Sequence, residues 1–168
     1  MFIGFDYGTA NCSVASMQDD NPVLIPLERD SLYIPSTLAA PTRDSVPEHL
    51  FRHRQISPAD ALGEQLLRRS VAANRDEGID LQFDDVVFGQ AALDLYLSDP
   101  HEVYYVKSPK SFLGAMGLHD IQLSFFEDLV CAMMANIKAQ AEARSNAVIN
   151  DAVIGRPVNF HGRRRGRL

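Results

Sequence analysis

Apolar and polar positions divide the chain into two regimes. Over the first forty residues the apolar ones fall in short runs separated by turn residues: Phe2-Ile3-Gly4-Phe5-Asp6-Tyr7, then Cys12-Ser13-Val14-Ala15-Ser16-Met17, then Val23-Leu24-Ile25. This pattern predicts strands over about 2–7, 12–17 and 23–25, an antiparallel meander with turns at Gly8-Thr9 and at Asp19-Asp20-Asn21-Pro22. A short strand is expected over 36–40, after Pro35. Residues 41–53 are polar, hold two prolines and read as a loop. Beyond them the period lengthens. Ser57-Pro58-Ala59-Asp60 has the composition of a helix start, with Ser57 as cap and Pro58 at the first helical position. Leu62, Leu66, Leu67 and Val71 then recur at helical spacing to about Arg75, and Gly78 ends the run. Val86-Val87-Phe88 predicts a short strand, 90–97 a helix closed by Asp99-Pro100, and 103–106 another strand. The longest periodic stretch is 120–144, where Ile121, Phe125, Leu129, Met133 and Ile137 repeat every four residues and predict a core helix. The continuous apolar run Ala152-Val153-Ile154-Gly155-Arg156-Pro157-Val158 predicts a buried parallel strand beside the first hairpin.

The first turn carries the candidate chemistry. Gly8 can adopt a positive φ and let successive backbone N–H groups converge on an anion, with the short polar side chains of Thr9 and Asn11 beside it. Asp6, at the end of the first strand, is placed to hold a hydrated Mg²⁺, which is usually bound through one or two carboxylates. The sequence contains neither G-x-x-x-x-G-K-[ST] nor G-x-G-x-x-G, so the turn is not a Walker loop or a dinucleotide fingerprint. His49 and His53 stand four apart without a nearby third ligand, and no metal site is expected of them.

Composition narrows the partners. The 168 residues suffice for one core or for two small lobes sharing a hinge. A net charge of −6 argues against general nucleic-acid binding, although Arg163, Arg164, Arg165 and Arg167 make the last six residues basic; that tail, 161–168, is expected to be disordered. No run is long enough for a membrane span and no signal-peptide pattern opens the chain, so a cytoplasmic protein is expected. Cys12 and Cys131 are the only cysteines and are far apart in sequence, which favours two buried thiols over a disulfide.

The stretch Ile3-Gly4-Phe5-Asp6-Tyr7-Gly8-Thr9-Ala10-Asn11-Cys12-Ser13-Val14-Ala15 resembles the first phosphate motif of the DnaK-type heat-shock chaperones, within the actin-like, sugar-kinase-like ATPase superfamily. Further similarities follow in the same order at Pro35-Ser36, Phe88-Gly89-Gln90-Ala91-Ala92, Lys110-Ser111-Phe112-Leu113-Gly114 and Ala152-Val153-Ile154-Gly155-Arg156-Pro157. The wording of 108–114 and 126–134 is closer still to the divergent YegD-like members. The resemblance implies an α/β fold, the N-terminal lobe of an actin-like (ribonuclease H-like) ATPase domain, with a mixed sheet, helices and a smaller inserted lobe. Residues 1–38 and 112–160 would form the first subdomain and 39–111 the inserted lobe.

The resemblance also implies a site. Asp6, Gly8, Thr9, Ala10 and Asn11 would bind the phosphates of ATP or ADP, Asp6 would hold Mg²⁺ through water, and Lys110 would reach the γ-phosphate as the catalytic cation, whereas Lys107 reads as a surface residue. Pro157 would stand behind the nucleotide. The similarity covers only the opening portion of the family's ATPase domain. The second phosphate hairpin and the adenosine motif have no counterpart in these residues, so this chain is expected to bind ATP weakly or not at all and not to hydrolyse it; ATP hydrolysis would belong to an intact parent. The basic end leaves open a frameshifted end, an isolated subdomain or a truncated product. Unfolded-protein clients and co-chaperones would be partners of the parent, and an exposed sheet edge could let the chain self-associate. A sugar kinase of the same superfamily, an actin-like filament protein and a bare fragment with a nucleic-acid-binding arginine tail stand as alternatives.

Overall fold

A computed structural model describes residues 1–115 and 117–155. The meander forms as expected. Strand β1 (Phe2–Tyr7) pairs antiparallel with β2 (Asn11–Gln18), with Ile3 opposite Ser16 and Tyr7 opposite Cys12, and β2 pairs with β3 (Asn21–Leu24). Asp19 and Asp20 make the second turn with φ of 47° and 62°, the two left-handed positions that a tight two-residue hairpin requires. Pro22, which cannot donate to a ladder, is tolerated because β3 lies at the sheet edge. Strand β4 (Ile34–Pro35) adds to the end of β2, and β8 (Asp151–Gly155) runs parallel to β1, giving a mixed sheet in the order β3-β2-β1-β8.

A second, antiparallel sheet has the order β6-β5-β7, from β5 (Thr37–Ala40), β6 (Val87–Phe88) and β7 (Tyr104–Lys107). Among the described residues four α-helices accompany the two sheets: α1 (Ser45–Arg54), α2 (Ala61–Asp76), α3 (Gly89–Ser98) and α4 (Asp120–Ser145). The chain is therefore α/β, with one mixed and one antiparallel sheet. A single apolar cluster runs through both parts, from Ile3, Phe5 and Val14 in the first sheet through Phe125, Leu129, Met133 and Ile137 of α4 to Leu38, Val46 and Leu66. Helix α4 packs against both α1 and α2. Among the described residues no helix is long and apolar enough to cross a membrane.

Three local expectations are corrected. The 41–53 stretch is not all loop, because α1 occupies most of it. Pro47 stands in its first turn, where a missing N–H breaks no intrahelical bond. The buried face of α1 includes Ser45, Glu48 and His49, so its amphipathicity is masked by polar residues that find partners elsewhere: Glu48 accepts from Asn74 Nδ2 and Arg52 Nη1, both at 2.7 Å. Helix α2 starts at Ala61 rather than near Pro58, since Asp60, in extended conformation, is the residue whose Oδ1 accepts from the N–H of Gly63 at 2.8 Å. Its buried face is Gly63, Leu66, Ser70 and Asn74, leaving Val71 exposed. Finally, β8 is parallel to β1 but is not buried. All five of its residues are exposed, Val153 by 61% and Ile154 by 47%, because β1 is its one strand neighbour among the described residues. Arg156, Pro157, Val158 and the four terminal arginines fall outside the described residues.

Candidate functional site

The turn between β1 and β2 is an exposed tip on a buried base. Alternation along β1 turns Ile3, Phe5 and Tyr7 into the core and Asp6 to the other face, where its carboxylate is exposed and has no hydrogen-bond or ion-pair partner among the described residues. Thr9, Ala10 and Asn11 are exposed, and the N–H groups of Thr9 and Ala10 have no protein acceptor among the described residues.

Gly8 is needed for a different reason from the one expected. It is not among the residues with positive φ, so the turn is not a left-handed anion nest. Instead the backbone doubles back so tightly that a Cβ on Gly8 would collide with the carbonyl oxygen of Asn11. Gly8→Ala is therefore expected to force the turn open and to lower stability by about 1–3 kcal/mol, the usual range for overpacking. Urea unfolding checks this, and an unchanged midpoint would contradict the tight-turn account.

One buried serine fastens the tip to the rest of the molecule. Ser36 Oγ donates to the carbonyl of Gly8 at 2.7 Å, and its N–H donates to the carbonyl of Ala10 at 2.9 Å. Its own carbonyl accepts from the N–H of Ser108 at 2.7 Å. With these inward carbonyls engaged, the turn keeps its shape without occupying its outward N–H groups. Ser108, left-handed at φ 56°, then redirects the chain from β7 into a 3-10 turn over Pro109–Gly114. Buried Pro109 anchors that turn, and Lys110 leaves it toward the tip. Lys110 Nζ donates to the carbonyl of Tyr7 at 2.5 Å and lies 5.6 Å from the centre of the Tyr7 ring.

Asp6, Gly8, Thr9, Ala10, Asn11 and Lys110 are thus brought to one end of the first sheet, although Tyr7 and Lys110 are 103 positions apart. Lys107 is exposed at the end of β7 and makes no such approach. Behind the tip, Cys12 Sγ lies 3.2 Å from Ser36 Oγ. Burial pushes the Cys12 thiol up, opposed in part by hydrogen bonds with Ser36 and Gly8, and burial likewise raises the Tyr7 phenol. Both groups are therefore neutral near pH 7 and leave the charge at the tip to Asp6 and Lys110. Cys12 and Cys131 are free thiols, the first buried and the second partly so.

Among the described residues no group of three His, Cys, Asp or Glu side chains could enclose a metal ion. Asp6 alone offers the exposed, unengaged carboxylate that a largely hydrated Mg²⁺ would use. His49 and His53 have ring centres 5.6 Å apart, but both are engaged with protein: His49 Nε2 accepts from Arg54 Nε at 3.2 Å, and His53 Nε2 lies 3.0 Å from the carbonyl of Leu81. Sequence reasoning noted Pro35-Ser36 without its structural task, and it missed Arg54, which sits over the rings of Phe83 and Phe88. No family model matches the chain.

Proposed function

We propose that this chain carries one phosphate-binding half of an actin-like ATPase domain of the DnaK type. The observation that supports the reading is the approach of Lys110 to the Tyr7 carbonyl, which puts a cation beside an exposed carboxylate and an exposed turn whose N–H groups at Thr9 and Ala10 have no acceptor among the described residues. Phosphate oxygens would accept from the N–H groups of Thr9 and Ala10 and from Lys110, and charge-assisted hydrogen bonds of this kind are each worth roughly 1.5–3 kcal/mol. Asp6 would hold Mg²⁺ through its water shell. Once bound, the metal would offset phosphate charge that Asp6 would otherwise repel. In a complete domain Lys110 would oppose the charge that builds on the transferring phosphoryl oxygens.

Nucleotide in this superfamily lies between two halves, each with a phosphate hairpin, and the residues of this chain match the first. A single phosphate hairpin of this kind would hold the phosphates of ATP weakly.

Phosphorus NMR with Mg²⁺ and tripolyphosphate tests the reading on the chain itself. The expected result is a Kd of about 1 mM or weaker, lost roughly tenfold in Lys110→Ala. Micromolar affinity for Mg-ATP on the monomer would contradict the half-site picture. Binding that ignores Lys110 would remove that residue from the site.

A further inference from the structure

A cleft of about 230 Å³ opens between the end of α1, residues 83–88 and α4. Phe83, Val86, Val87, Phe88 and Ala91 give it an apolar lining, and Arg54 and Asn136 stand in its wall. The guanidinium carbon of Arg54 lies 4.7 Å from the centre of the Phe83 ring and 6.0 Å from that of Phe88, and its Nε donates to His49 Nε2. Its terminal nitrogens have no carboxylate within ion-pair distance among the described residues. Glu28 lines the same cleft, but its carboxylate already accepts from the N–H groups of Gln90 at 2.8 Å and Ala91 at 3.3 Å. Asp84 is exposed in solvent at the rim. Asn136 is 9% exposed, and among the described residues its Nδ2 has no partner, nor has Oε1 of Gln140 one turn further along α4. A partly buried guanidinium without a counter-ion and a buried amide donor without an acceptor are both costly in a folded protein, and one carboxylate would relieve both.

We propose that this cleft binds a small carboxylate attached to a ring or compact apolar group, with the carboxylate on the fork of Arg54 and the amide of Asn136, and the apolar part against Phe83, Phe88 and Ala91. Neither the phosphate tip nor Lys110 takes part. Bidentate geometry makes arginine the suited residue, and a lysine in its place would lose the fork.

Sodium benzoate is the probe, titrated into the full chain and followed by amide NMR. Saturable shifts at Phe88, Ala91 and Gln140 are expected, with a Kd of about 1 mM. Arg54→Lys, which keeps the charge, is expected to weaken binding at least about fivefold. Asn136→Leu removes the unpartnered amide and so should keep or raise the melting temperature while weakening benzoate about threefold. Benzylamine binding as tightly as benzoate would overturn the proposal, because the acidic rim would then govern recognition. Benzoate binding unchanged in both variants, or no saturable shift, would overturn it as well. A short peptide ending in a free phenylalanine carboxylate provides the second arm: affinity no better than benzoate's supports a free small carboxylate, whereas affinity tenfold better and lost on amidation assigns the site to a protein terminus and overturns the small-molecule form.

Discussion

Leu129→Ala is expected to lower the stability of this chain by about 2–5 kcal/mol, a large share of what a domain of this size usually has. Leu129 is fully buried halfway along α4, in the apolar cluster that also holds Phe5 and Val14 from the first sheet and Val46 and Leu66 from α1 and α2. Truncation therefore opens a cavity inside the cluster that both parts of the molecule share, next to α1 and α2, against which α4 packs. Leu129→Met, which keeps the volume, should cost less than about 1.5 kcal/mol. Urea melts of the two variants separate these cases. A loss below about 1 kcal/mol for the alanine variant would mean that α4 is not the shared core element described above.

The second large effect is in the pH dependence. His49 is fully buried, and burial first, then the charges of Arg54 and His53, push its pKa down from 6.5 to about 4. Between those values the unfolded chain binds a proton that the folded chain refuses, so stability is complete above pH 6.5 and is lost as pH falls toward 4. Asp128 on α4 behaves oppositely. Burial, then the neighbouring charge of Glu127, raise it from 3.8 to about 7, so the folded chain keeps a proton that the unfolded chain releases. Its contribution is complete below pH 3.8 and is lost as pH rises toward 7.

Over pH 4 to 6.5 the two slopes oppose each other, each at most about 1.4 kcal/mol per pH unit. Relative to the unsubstituted chain, His49→Gln should grow progressively less stable as pH rises through this window, and Asp128→Asn progressively more stable. Denaturant midpoints taken at half-unit steps measure both differences. Parallel profiles for the two variants would contradict the assigned protonation states.

How much of this was legible in the sequence depends on where each residue finds its partner. Helix α4 could be read because its partners share one apolar period, from Ile121 to Ile137. The meander could be read because alternation and turn composition agree; the continuous apolar run of β8 marked a parallel strand beside β1 but not its exposure. Helix α1 was hidden. Its inward positions include Ser45, Glu48 and His49, and what makes them tolerable inside is Asn74, 26 positions downstream of Glu48, and Arg54 beside the Phe83 ring. Glu48 and Asn74 would look equally at home on a surface. The start of α2 was misplaced because Ser57-Pro58 and Asp60 both have capping composition, and backbone conformation chose the later residue.

The candidate site divides in the same way. Asp6, Gly8, Thr9, Ala10 and Asn11 are neighbours in the chain, and their turn was visible there. That Gly8 is required by the approach of the Asn11 carbonyl rather than by its φ is a matter of three-dimensional fit. Lys110 was singled out through family resemblance, because no spacing rule connects it to a turn a hundred residues earlier. Ser36, which fastens the turn to the Lys110 segment through three hydrogen bonds, left no signal of that task. The cleft at Arg54 draws on four separate segments and left none at all.

The central claim is that the exposed turn after β1 receives phosphate, with Lys110 beside it. Amide NMR of the chain during titration with Mg-ATP tests it residue by residue. The account predicts that the N–H signals of Thr9 and Ala10 move most, that Gly8 and Asn11 follow, and that Lys110→Ala reduces these movements while Lys107→Ala leaves them unchanged. Signals that stay still at the turn at millimolar Mg-ATP, or that move at another surface instead, would contradict it.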